Sequence, residues 1–431
     1  MTIGRLTPHR DGCAARERPS NRPNLRRWPD QTMKTLLFVD DEPKVLQGLQ
    51  RQLRSMRNEW EMNFRESGSQ ALEFMTSRTV DVIVTDMTMP GMDGAQLLTE
   101  VMKRHPHTVR LVLSGHADRE AVLRLVGPAH QYLSKPCNAE ELRSAIARAL
   151  ALRDLLSNED LKQLASRTCS LPSLPSLHLQ LTDELRKDEP SLERAAEIIS
   201  KDIGMTTKVL QLVNSAFFGL PQPAANTLEA VTYLGLTTVR ALVLSVQVFS
   251  QFDQKAIRNF SIEALAQHCW MTGLVARHIA ELEHCDPKID DQCFLAGLLH
   301  DVGQIILAAG LPEQYTRVLE TARETNRPIW EAELAEFGAT HAEVGAYLLG
   351  LWGLPNPVVE AVALHHRPAQ CAFHGFSPVL AVHVADAFTH EAAPPIAQTD
   401  TLLDTAYLAE LGLAGRMDEW RSHCLEERLQ A

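Results

Sequence analysis

The sequence predicts a multidomain chain: a doubly wound, five-stranded parallel α/β sheet followed by an all-helical bundle. Three observations carry this. From residue 33 to 150, short apolar runs alternate with stretches of helical period. Carboxylates stand where two of those runs end, and beyond residue 170 a 3.6-residue period continues with no strand-like alternation. At 431 residues the chain is longer than one core usually serves, and its 45% hydrophobic and 22% charged residues are globular values.

Residues 1–32 form a basic arm, with seven Arg against Asp11, Glu17 and Asp30. The arm lacks the apolar core of a secretory signal. Met33 directly precedes the first apolar run, so it is the expected start, and 1–32 is then a disordered extension or a tether to an anionic surface. Runs at Thr35 to Val39, Trp60 to Phe64, Asp81 to Thr85, Val109 to Leu113 and Gln131 to Leu133 predict strands; helices are predicted to start near Pro43, Ser69, Gly94, Asp118 and Asn138. The last helix is predicted to run on without Gly or Pro from Ala139 to Arg167. Its stripe of Leu142, Ile146, Leu150, Leu155 and Leu161 makes 151–169 a helical linker that carries a rotation, packs against a second copy as a homodimer, or stays a solvated spacer. Leu171-Pro-Ser-Leu-Pro175 ends it. Helices follow at Ser191 to Ser200, Thr206 to Ala216, Thr227 to Leu234, Thr237 to Phe252 and Ser261 to Leu282. After the break at Ala393-Pro-Pro395, patterns at Thr401 to Leu411 and Arg416 to Arg428 are expected to complete or cap the bundle over 371–431.

The formal net charge is −12, and removing the basic arm makes the remainder more acidic still, so it repels a phosphate backbone; the helices have no basic recognition face. Nucleic acid is therefore not an expected partner. No run of 18 or more apolar residues is evident, so no membrane span is expected. The eight cysteines never form a Cys-x-x-Cys pair, which suits scattered thiols in a reducing, cytoplasmic setting.

Asp40 and Asp41 close the first apolar run and Asp86 the third, at the edge where open α/β sheets bind ligands. Three crowded carboxylates raise each other's pKa unless a divalent cation neutralises them, which implies Mg²⁺. Beside that ion an Asp86 oxygen becomes an acceptor for a phosphoryl group, with Lys135 absorbing charge on its oxygens. At these residues the segment 33–150 resembles the receiver domain of two-component response regulators, a flavodoxin-like fold. The resemblance lies in Val39-Asp-Asp-Glu-Pro43, Thr85-Asp-Met-Thr-Met-Pro-Gly-Met-Asp-Gly94, Leu113-Ser-Gly-His116 and Tyr132-Leu-Ser-Lys-Pro136. It implies that Asp86 is the phosphoacceptor, that Asp41, Asp86 and the backbone carbonyl of Thr88 hold Mg²⁺, and that Asp40 acts through a metal-bound water. Ser114, Tyr132 and Lys135 would be the switch residues, and a histidine kinase or phosphotransfer protein the phosphoryl source.

Residues 170–370 resemble the HDOD domain, a relative of the HD phosphohydrolases. The match lies in Leu171-Pro-Ser-Leu-Pro175, Val213-Asn-Ser-Ala-Phe-Phe-Gly219, Tyr233-Leu-Gly-Leu236, Ala296-Gly-Leu-Leu-His-Asp-Val-Gly303, Phe337-Gly338, His341-Ala-Glu-Val-Gly345 and Leu351-Trp-Gly-Leu-Pro355. His268, His300, Asp301, His341, His365, His366 and Asp386 fall where that superfamily binds metal, which implies Fe, Mn, Zn or another divalent ion, or else a hydrogen-bonded polar core. His383 shares a helix face with Asp386, whereas His278, His284, His374 and His390 read as surface or satisfied core residues. Where HD-type cyclic dinucleotide phosphodiesterases carry a lysine and an acidic, glycine-rich tract, this chain has Gln304 and Arg367-Pro-Ala-Gln370. The expected function is a response regulator whose HDOD module acts on a protein partner; the alternative is a receiver-gated, metal-dependent phosphohydrolase centred on His300 and Asp301.

Overall fold

The computed structural model describes residues 33–114, 128–135, 137–153, 156, 158–168, 171–187, 189–214, 220, 223–244, 260–391 and 403–428. Strands β1 Lys34–Val39, β2 Trp60–Arg65, β3 Val82–Asp86, β4 Val109–Ser114 and β5 Gln131–Ser134 pair in parallel in the order β2-β1-β3-β4-β5. Each predicted run is one of these strands, displaced by no more than one residue at an end. Helices α1 Pro43–Gln52, α2 Gly68–Ser77, α3 Gly94–Arg104 and α4 Ala139–Arg153 cover both faces. Leu36, Phe38, Val82, Val84 and Leu111 pack with Leu46 of α1 and Ile146 of α4, while Leu37, Val39, Ile83 and Val112 pack with Ala71 of α2 and Leu97 of α3. That alternation explains why the strands read as continuous apolar runs. The helix expected near Asp118 and the basic arm lie outside the described residues.

The strand order reverses between β1 and β3, so the crevice at their carboxyl ends is the topological switch point. Register pairs Val39 with Thr85, which sets Asp40 beside Asp86. A Cβ on Gly94 would stand 2.3 Å from the Asp86 carbonyl oxygen, so only glycine lets α3 start against the end of β3.

The linker departs from the expectation of one continuous helix. α4 ends at Arg153 and α5 Glu159–Arg167 begins anew. The side chain of Asn158 causes the restart: its Oδ1 accepts from Asp160 N and Leu161 N, while its Nδ2 donates to Phe337 O at 2.8 Å. α5 is also no solvated spacer, because Leu161 and Ala165 are buried among the helices that follow.

Those helices are α6 Pro175–Arg186, α7 Leu192–Ser200, α8 Ile203–Val213, α9 Thr227–Leu244, kinked at Gly235, and α10 Ile262–Leu282. Next come α11 Pro287–Leu299, α12 Val302–Gly310, α13 Pro312–Thr325, α14 Ile329–Phe337, α15 His341–Leu351, α16 Asn356–Leu364 and α17 Pro378–Glu391, then α18 Thr405–Glu410 and α19 Met417–Arg428. α8 starts three residues before its predicted position because Asp202, buried and bonded to Ser173 Oγ and Leu174 N, caps it through Met205 N. Trp420 of α19 is fully buried, and its indole donates to Glu283 at the end of α10, as expected of a capping segment. Among the described residues one stretch, Pro287–Gly310, is long and apolar enough by composition to cross a membrane, although Lys288, Asp290, Asp291 and Asp301 interrupt it; 83% of its apolar window is buried in the bundle.

The sheet and the bundle are bolted together. Arg110 of β4 is completely buried, and its guanidinium donates to Thr108 O, Pro128 O and, at 2.6 Å, Ser166 O in the last turn of α5. His130 accepts from Arg110 N at Nδ1, and its Nε2 stands 2.8 Å from Arg110 Nη2 and 3.2 Å from Ser166 O. Gln131 of β5 donates to Gly350 O at the far end of α15. Replacing Arg110 with Ala would take the donor from these carbonyls in a buried setting, where hydrogen bonds to charged groups are each worth about 1.5–3 kcal/mol. The variant is expected to lose about 3 kcal/mol or more, read as a lowered urea midpoint; an unchanged midpoint would show that the clamp is idle.

Candidate functional sites: an acidic pocket and a histidine cluster

At the switch point, Asp40, Asp41 and Asp86 each offer a carboxylate oxygen within 4.8 Å of the others. Asp40 is buried and Asp41 is the most accessible of the three. Lys135 bridges two of them, with Nζ 2.7 Å from Asp40 Oδ2 and 2.6 Å from Asp86 Oδ1. Crowding is thus partly relieved from within, a role the sequence reading had given to a metal alone. Thr88 N donates to Asp86 Oδ2 at 3.2 Å, and Glu42 N to Asp40 Oδ1 at 2.9 Å. Burial raises the Asp86 carboxyl above the ordinary range despite Lys135, which makes it a more basic oxygen nucleophile. For Lys135 burial acts downward, but its bonds to Asp40 and Asp86 prevail and raise it. An all-oxygen donor set of this kind fits a hard cation such as Mg²⁺. Ser114 ends β4 opposite Ser134, and Tyr132 is buried on β5; the Ser114 side chain lies outside the described residues.

The helical domain brings its expected residues together. α10 supplies His268; the bend after α11 supplies His300, and Asp301 stands at the start of α12. His341 opens α15, His365 and His366 follow α16, and Asp386 lies on α17. A Cβ on Gly303 would come within 1.9 Å of the His341 carbonyl oxygen. Glycine there lets α12 touch α15 and puts Asp301 Oδ1 3.0 Å from His341 Nε2.

The imidazoles are oriented from behind. His300 Nδ1 bonds Gly297 O at 2.7 Å, His365 Nδ1 bonds Val362 O at 2.8 Å, and His341 Nδ1 bonds Glu333 Oε2 at 2.7 Å. Each Nδ1–H is thereby spent, and each Nε2 faces inward, the arrangement metal-binding histidines use. Donor atoms crowd there: His268 to Asp386 3.1 Å, His268 to His300 3.3 Å, His300 to Asp301 3.3 Å and His366 to His341 3.0 Å. Tetrahedral ligands on a first-row ion with bonds of about 2.0–2.1 Å stand about 3.3 Å apart, so the spacing fits. His365 Nε2 is buried with no hydrogen-bond partner among the described residues. A buried lone pair with no donor is costly unless a cation takes it. Burial and the neighbouring His300 and His341 push His365 down to about 3, so its ring is neutral. Burial would also lower His341, but Glu333 and Asp301 outweigh it and lift its pKa to about 10. His300 is likewise raised, against burial, by Asp301, whose own carboxyl is driven low against burial by His300 and His341. The buried carboxylates thus favour the protonated forms of His300 and His341.

Three residues need reassignment. His390, read as surface or satisfied core, has Nε2 3.3 Å from Asp386 Oδ1 and belongs to the cluster. Its spacing of four from Asp386 on one helix was the available signal. Glu333 was overlooked; it is fully buried and accepts from His341 N and Nδ1 and from Tyr315 Oη. An acid amid the buried positions of α14 was its only trace in the sequence. His383 faces elsewhere, its Nδ1–H donating to His365 O and its Nε2 accepting from Asp404 N, so it steadies the His365 turn. The departures also have structural counterparts: Gln304 is buried, and Arg367 is paired with Glu343 at 2.8 Å.

Family models match at two places: the response regulator receiver domain over residues 36–147 and the HDOD domain over residues 171–368. Among curated proteins, an uncharacterized protein of Treponema pallidum is 30% identical over 207 residues, 47% of this chain and 39% of that protein. The DNA-binding transcriptional regulator NtrC of Klebsiella pneumoniae is 36% identical over 87 residues, 20% of this chain and 19% of that protein. The chain thus spans two fifths or less of these relatives' lengths. Among solved structures, the MmoQ response regulator of Methylococcus capsulatus is 25% identical, with 59% of this chain and 98% of that one covered at a TM-score of 0.47. The sheet with its acidic edge coincides with the first matched segment and the helical bundle with most of its histidine cluster coincides with the second, so the chain joins a response regulator receiver domain to an HDOD domain.

Proposed function

We propose that Asp86 is the phosphoacceptor of this regulator, that a histidine kinase or phosphotransfer protein supplies the phosphoryl group, and that the HDOD domain is a metal-holding output module acting on a protein partner. The observation that carries this reading is the meeting of Asp40, Asp41, Asp86 and Lys135 at the switch point. An Asp86 oxygen forms the new O–P bond as the P–N bond of a phosphohistidine breaks, and the electron pair stays on the departing imidazole nitrogen. Lys135 holds charge on the transferring group. Asp41, Asp86 and the Thr88 carbonyl, with Asp40 beyond them, would hold Mg²⁺, which when bound neutralises the phosphoryl oxygens.

Ser114 and Tyr132 are the proposed switch. Tyr132 borders a cleft of about 390 Å³ between the domains, lined also by Gln131, Arg148, Gln211 and Trp352. Gln131 also bonds the far end of α15, the helix whose first residue is His341. A shift of β5 would therefore be shared along one helix with the metal cluster. A near-complete switch needs about 5.5 kcal/mol of differential stabilisation. Co-purification of the native chain and Asp86→Asn from cells tests the output: partner recovery that ignores this substitution under kinase-active conditions would sink the reading.

For the HDOD module, His268, His300, Asp301, His341, His365, His366 and Asp386 are the residues that would hold divalent transition ions, which imidazole-rich sites prefer over Mg²⁺. Metal uptake near neutral pH must then displace protons from His300 and His341. Release of about two protons is expected, with affinity rising with pH, measurable by calorimetry in buffers of different ionisation enthalpy. A buffer-independent heat would contradict this. Hydrolysis is the second reading, favoured by one observation: Asp301 belongs to two donor groups at once, as a carboxylate bridging two ions would. Turnover of cyclic dinucleotides or nucleotides with Mn²⁺ or Fe²⁺ that disappears in Asp301→Ala would establish it.

A further inference from the structure

We propose that His390 is an additional metal donor at the mouth of the HDOD cluster and closes the coordination position that a water or a substrate oxygen would need. The inference rests on reading the cluster as a metal site and adds a ligand and a consequence to it. His390 stands one helical turn beyond Asp386 on α17, so both side chains leave the same face. Its Nε2 is 3.3 Å from Asp386 Oδ1, its ring centroid is 4.4 Å from that of His268, and donor atoms of all three residues lie within 4.8 Å of one another. The three therefore offer two imidazoles and a carboxylate to one point.

Exposure separates floor from mouth. The side chains of His300 and Asp386 keep 0% and 1% of their surface, whereas those of His268 and His390 keep 17% and 15%. His268 and His390 are thus the most exposed of the donors around His300 and Asp386, and they stand beside each other. Metal sites that do chemistry keep a position open for water, and sites that only hold structure are filled by protein donors. The His390 imidazole fills that position. The same direction is taken by the two departures noted above, Gln304 and the Arg367–Glu343 pair, which take away groups that grip a phosphate ester. On this side the module retains an ion as a fixed centre and does not turn substrate over.

The test uses the full chain, with excess Mg²⁺ occupying the acidic pocket and Mn²⁺ or Co²⁺ titrated into the cluster. Relative to the native protein, His390→Ala is expected to weaken Co²⁺ binding about tenfold or more, measured by competition with a chromophoric chelator. It should also raise the water-proton relaxation per bound Mn²⁺, because a water enters the vacated position, and His390→Asp should reverse both effects. Equal affinity and equal relaxation in the native and alanine proteins overturn the proposal. Should the alanine variant fail to fold, the native protein decides alone: relaxation as high as an open site gives refutes a filled position, and low relaxation supports it. A native protein that takes up no transition ion defeats the metal reading itself, an outcome distinct from equal binding by the two proteins.

Discussion

Asp86→Asn is expected to abolish labelling by a small phosphodonor such as acetyl phosphate, read as complete loss of the slower band on a phosphate-affinity gel. The amide keeps the shape of the pocket, including the contact to Thr88 N, but removes the anionic oxygen that must attack phosphorus. It also removes one of the two charges that hold Lys135, whose remaining partner is then Asp40 at 2.7 Å. Chelation with EDTA should also suppress labelling of the native protein strongly, since Lys135 supplies one positive charge and the cation supplies the two that the remaining carboxylates and the incoming oxygens require. Undiminished labelling in the variant would move the acceptor elsewhere. Lys135→Ala separates the two parts of the argument: with Asp86 intact, labelling should slow without vanishing, because the lysine stabilises transferred charge and forms no bond to it.

The second large effect is expected from Asp301→Ala. Asp301 touches His341 at 3.0 Å and His300 at 3.3 Å, and it is the donor common to two groups. Its loss should empty the histidine cluster of transition metal, measured by elemental analysis of dialysed protein, while Mg²⁺-dependent labelling at Asp86 survives. Because the cluster is buried, the variant also leaves His300 and His341 with less counter-charge, only Asp386 and Glu333 remaining beside them. Removing one member of a buried pair costs about 3–5 kcal/mol, so thermal unfolding should shift downward markedly even without metal. Unchanged metal content with a lowered melting temperature would identify the cluster as a polar core and nothing more. Unchanged values of both would remove any role for Asp301.

Much of the receiver half was legible because its signals are local. A parallel strand buried on both faces must be an apolar run, and its last residue is the one at the sheet edge, so Asp40, Asp41 and Asp86 could be placed together from linear spacing alone. Lys135 as partner of the acids in the resting pocket was not legible, because that contact joins the ends of β1, β3 and β5. The histidine cluster was partly legible: its residues lie on five separate helical segments, and only a resemblance in motif could group them. His390 and Glu333 belonged to no motif. Their roles depend on how α17 packs against α10 and α14 against α15, which helical periodicity does not encode.

The linker shows the same limit. Periodicity and the lack of Gly or Pro specified helix on both sides of residue 156, yet the break is set by Asn158, which caps α5 while bonding Phe337 O across the bundle. By itself, then, the sequence determined where the strands lie and which carboxylates reach the sheet edge, because each depends on residues near in the chain and on burial patterns of fixed period, while the candidate histidines came from a resemblance in motif. Only the tertiary structure decided that β4 is clamped to α5 through Arg110, that one helix reaches from the receiver to His341, and that His390 joins the cluster. Those are meetings of residues distant in sequence, fixed by how whole elements pack.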